Sequence, residues 1–187
     1  MRRLVVVLLL VLCAGACSDD GSDATPTTTG VGDAALRAEL LAMMDEDQAG
    51  TGDFNARQTR LAEIFDEHGW PGWQLVGEDG STAAWLIVQH ADLDVEFQRR
   101  GLALLEEAVA AGDASPGDLA YLVDRVRVAD GQPQVYGTQW TPDAAGEWQP
   151  RTPIEDEANV DARRAEAGLG TLAEYLDELE AMFPDGT

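Results

Sequence analysis

His90 is the side chain best suited to proton transfer in this sequence, and His68 is the only other histidine. A histidine titrates near neutrality and so can take or give a proton under ordinary conditions. Asp92 follows two residues later and Asp94 four residues later. On a helix Asp94 could reach His90, whereas Asp92 would not face it. Asp124 and Arg125 add a second orienting carboxylate and a fixed cation. Gln134, Tyr136, Thr138 and Gln139 add groups that both donate and accept hydrogen bonds. Assembled, these residues describe a small hydrolase or lyase. His90 would be its general acid or base and Asp92 or Asp124 the orienting group. Arg125 and Gln139 would stabilise a developing anion or carbonyl.

Each of these residues also has a purely structural reading. His90 in a last helical turn would meet free carbonyls and the negative end of the helix dipole. Asp124 and Arg125 could stitch a helix to a hairpin, since the planar guanidinium grips a carboxylate twice. Arg163 and Arg164, near Asp156 and Asp161, read as ion pairs in the same way. The Gln134–Gln139 segment could be a polar cleft wall or a hairpin face docked through satisfied hydrogen bonds.

Other chemistries find little footing. There is no HExxH pair, so zinc is not expected, and the Cys residues, Cys13 and Cys17, both lie near the start. The run Asp45-Glu46-Asp47 lacks the ligand alternation and central glycine of a calcium loop, and reads as a solvated helix end. No P-loop, GxGxxG, GxSxG or SxxK occurs. No metal and no cofactor are expected. Acidic residues number 35 against 12 cations, all of them Arg, for a formal charge of −23. That balance disfavours nucleic acid, whose phosphates are bound largely by neutralising them.

The first segment reads as an address. Arg2 and Arg3 precede the apolar run Leu4 to Leu12, which is followed by small residues. This is the order of an export signal. The run falls short of the roughly 20 apolar residues that span a bilayer. Ala14-Gly15-Ala16-Cys17 resembles the bacterial lipobox, in which cleavage before the cysteine accompanies its acylation. Ala14 stands where that motif prefers Leu. Ordinary secretory cleavage after Ala16 and an uncleaved anchor are the competing readings. The sequence thus divides into a lipoprotein signal peptide at 1–16, a polar tether at 17–32 and one globular domain at 33–187. Ser18 to Gly32 is rich in Gly, Pro and Thr and cannot bury enough apolar surface to fold.

The elements of the folded part follow from caps and periodicity. Asp33 caps a helix running to about Ala49, with Leu36, Leu40 and Met44 on one face. Asp53 caps a second, with Leu61, Ile64, Phe65 and His68 in a stripe stopped by Gly69. Trp70 to Trp73 reads as a turn, Gln74 to Val76 as an extended piece and Asp79-Gly80 as another turn. Ser81 then caps a helix from Thr82 to about Ala91, although Trp85 to Val88 would also suit a buried strand. Further helices are expected from Asp94 to Ala111 and from Ser115-Pro116 to Val128. From Gln132 the period becomes two. Gln134, Tyr136 and Thr138 then face one side of a strand, with Gln139 on the other. Glu147 to Thr152 would return as its partner. Thr171 with Glu174 forms a capping-box pattern opening the last helix. The fold class is mainly α (α+β), a compact helical domain with one late β-hairpin.

Several strings carry a family resemblance. They are Gly69-Trp70-Pro71-Gly72 with Leu75-Val76-Gly77, Gln89-His90-Ala91-Asp92, Leu119 to Val126 and Pro133 to Gln139. Pro153 to Asp156 and Val160 to Arg164 add to them. Together they resemble a bacterial family, the domain of unknown function 6624, over roughly residues 55–180. That resemblance implies a fold unit often found in exported bacterial proteins. It transfers no catalytic role.

Two functional classes remain. One is a ligand- or protein-binding domain at the cell envelope, lipid-anchored to the extracytoplasmic face of the cell membrane. Its partner would be an envelope protein or a small ligand. The other is the small extracytoplasmic hydrolase or lyase using His90.

Overall fold

Local capping sets the first helices. The Asp33 carboxylate accepts the N–H groups of Ala35 and Leu36 at 3.1 and 2.9 Å and opens α1, Ala34–Gln48. Asp53 does the same for Asn55 and Ala56 at the start of α2, Phe54–His68, which ends at Gly69 with φ 71°. A computed structural model describes residues 32–183. The leader, Cys17 and the tether up to residue 31 lie outside the described residues.

The third helix departs from expectation. Trp73–Gln89 forms α3, helical on both sides of a kink at Gly77, where φ is 76°. Only glycine adopts that backbone cheaply. The expected extended piece is therefore one helical turn, and Asp79-Gly80 lies within the helix rather than in a turn. Ser81 does not cap. It is buried, and its hydroxyl accepts the indole N–H of Trp70 at 2.9 Å. The helix-or-strand ambiguity of Trp85 to Val88 resolves as helix. Ala83 to Gln89 is buried without a break because α1, α2, α4 and α5 all pack against α3. A helix enclosed on all sides needs no polar face.

The next helix, α4, spans Val95–Ala110, with Asp94 as its cap accepting Phe97 N–H at 3.0 Å. Gly101 on α4 faces Val88, and an added Cβ would lie 2.8 Å from Val88 Cγ1. That missing side chain brings the two helices close. The fifth, α5, spans Pro116–Ala129, and Ser115 Oγ accepts Asp118 N–H at 3.1 Å. It packs chiefly along α4, while α1 packs along α3.

The late hairpin is real but displaced. Trp140–Pro142 (β1) pairs antiparallel with Trp148–Pro150 (β2). Gln134 to Gln139, expected as strand, is irregular apart from one isolated bridge between Gln134 and Ile154. A short 3-10 turn at Glu157–Asn159 leads into α6, Val160–Glu166, and then α7, Leu172–Met182. The Thr171–Glu174 capping box is formed on both sides. The fold is mainly α, with seven α-helices and this hairpin among the described residues. No helix among them is long and apolar enough to cross a membrane.

Candidate functional site

The irregular path of Gln134 to Gln139 has one main cause, the carboxylate of Asp124. This α5 side chain is fully buried. It accepts the N–H groups of Val135 at 2.6 Å, Tyr136 at 3.1 Å and Thr138 at 2.9 Å, and the Thr138 hydroxyl at 3.0 Å. A strand would give those N–H groups to a neighbouring strand; here one anion collects them. Burial raises the Asp124 pKa, and the loop donors oppose that rise without cancelling it.

Gln134 locks the same loop. Its amide donates to the carbonyls of Gln139 and Thr152, each at 3.0 Å, and its carbonyl accepts Gln139 N–H at 2.7 Å. The Gln139 amide donates to Thr138 Oγ at 3.1 Å. Gln139 is thus on the Thr138 side of the knot, not on an opposite strand face. Tyr175 on α7 closes the knot by donating to the Thr138 carbonyl at 2.9 Å.

The late arginines serve this loop too. Arg164, 2 % exposed, donates to the carbonyls of Gly170 at 2.6 Å and Tyr136 at 2.9 Å, over the Tyr175 ring. Arg163 donates to the Val135 carbonyl at 2.8 Å, and its nearest approach to the Asp156 carboxylate is 3.9 Å. The expected Arg163–Asp156 pair is kept at that length, but both arginines spend most of their donors on carbonyls, because a buried irregular loop must have its carbonyls satisfied.

Asp92 and Arg125 do meet. Arg125 donates to Asp92 at 2.6 Å and also to the side chain of Gln89. Gln98 on α4 adds a contact to Asp92 at 3.3 Å and others to the carbonyls of Val88 and Gln89 at 3.2 Å. This cluster fastens the C-terminus of α3 to α4 and α5.

His90 belongs to neither group. It is the C-cap of α3, and its Nδ1 hydrogen-bonds Asp47 on α1. Asp47 also accepts from Arg57 on α2 at 3.2 Å. Its side chain is 5 % exposed, so it is not part of a solvated helix end. Burial opposes its ionisation, but His90 and Arg57 outweigh burial and hold it below the usual carboxylate range. Asp94, the other acid near His90 in sequence, caps α4 and accepts from Gln58 at 2.5 Å. The hydrolase reading needs His90, Asp124 and Tyr136 on one open cleft. The geometry instead gives His90 and Asp124 separate sets of partners within the fold. Asp47 and Arg57 complete the His90 cluster, and no short-range sequence signal joins them to it. Among the described residues, no three His, Cys, Asp or Glu side chains stand together as metal ligands.

A surface groove lies elsewhere, between α2 and the start of α4. Its volume is about 550 Å³, and Phe54, Ala62, Leu93 and Phe97 line it together with Gln58 and Asp94. Leu93, in the turn before α4, is 98 % exposed. A second outlying feature is Asp118, whose carboxyl burial raises to about 7 against an opposing Ser115 hydrogen bond.

No curated protein and no solved structure matches the chain. The family model does match, over residues 27–184, so the chain belongs to the family of unknown function DUF6624.

Proposed function

We propose that this protein is a non-catalytic binding domain of the bacterial cell envelope. It is carried on the extracytoplasmic face of the membrane by lipid on Cys17, and its partner is an envelope protein or a small ligand. One contrast supports the binding reading above the rest. The titratable candidates His90, Asp92 and Asp124 are engaged by groups within the fold, whereas Leu93 stands 98 % exposed on the rim of a groove. Leu93 joins Phe54, Ala62 and Phe97 along that groove, and apolar surface gathered in one place is where a partner can bury area. The anchor reading rests on Ala14-Gly15-Ala16-Cys17 after the apolar run. Several acyl chains on one residue hold stably where a single chain is marginal. With so acidic a domain, electrostatics would repel anionic headgroups, which leaves the anchoring to lipid.

Intact mass of the protein extracted from its host membranes tests this. The expected chain begins at Cys17 and carries the added mass of a diacylglycerol. An unmodified chain beginning at Cys17 contradicts the anchor.

A further inference from the structure

We draw no further inference here: the strongest candidate, the apolar groove between α2 and the start of α4 with the exposed Leu93 on its rim, belongs to the binding reading already given, and nothing in the structure shows what covers it.

Discussion

Asp47 on α1 and His90 at the end of α3 share a hydrogen bond, with side-chain exposures of 5 % and 14 %. The histidine that looks most catalytic in the sequence thus ties two helices together. Arg57 reaches the same carboxylate from α2, so three helices meet at one anion. That arrangement makes His90 a stability residue before anything else.

His90→Ala should lower stability by about 1–3 kcal/mol at neutral pH, the cost of leaving a buried charged group short of a partner. The pH dependence has a definite sign. Asp47 is held below its ordinary value of 3.8, so its contribution is present above that value and is lost as pH falls through the folded pKa. The gap between wild type and His90→Ala should therefore narrow in acid. Urea midpoints at neutral pH and below pH 3.8 measure both effects. An unchanged midpoint at neutral pH would contradict the structural role.

Asp118 should behave in the opposite sense. Its folded pKa is raised from 3.8 to about 7, chiefly by burial. The folded state therefore holds the proton more tightly than the unfolded chain. This contribution is fully present below about pH 4 and disappears as pH rises through about 7. Asp118→Asn, which cannot ionise, should remove that part of the slope. Denaturation midpoints of both proteins across this window give the comparison. Parallel curves would contradict the prediction.

Asp124→Ala should be the most damaging of these changes, at about 3–5 kcal/mol, because it orphans the loop N–H groups at once. Amide exchange gives a sharper readout than global stability. Val135, Tyr136 and Thr138 N–H groups should lose protection together, since they share one acceptor. Protection surviving at all three would show that the loop is held by other means.

The helices were legible where their causes are local. Asp33, Asp53, Ser115 and Thr171 each cap within three residues of themselves, and their caps can be read without knowledge of the fold, whereas Asp94 marks a helix start whose cap only the structure shows. The loop from Gln134 to Gln139 was not legible as such. Its alternation suits a strand, but its N–H groups go to Asp124, more than ten residues earlier. Asp124, Gln134, Thr138 and Gln139 meet in one polar knot, although strand alternation puts Gln139 on the opposite face, and Arg125 pairs with Asp92. Their purpose was hidden because a folding anion and a catalytic one look alike in sequence. Ser81 shows the same limit, since a serine that bonds an indole has the local signature of a cap. Leu93 carried no periodic signal, being a single residue in a turn. Asp47 looked solvated because two other acids precede it, and only packing shows which of the three turns inward.

Metabolic labelling with an alkyne analogue of palmitate in the native host is the decisive measurement for the proposed lipid on Cys17. Label is expected on the wild-type chain in the membrane fraction and none on Cys17→Ala. An unlabelled wild type, or a Cys17→Ala chain that keeps its label, would contradict it.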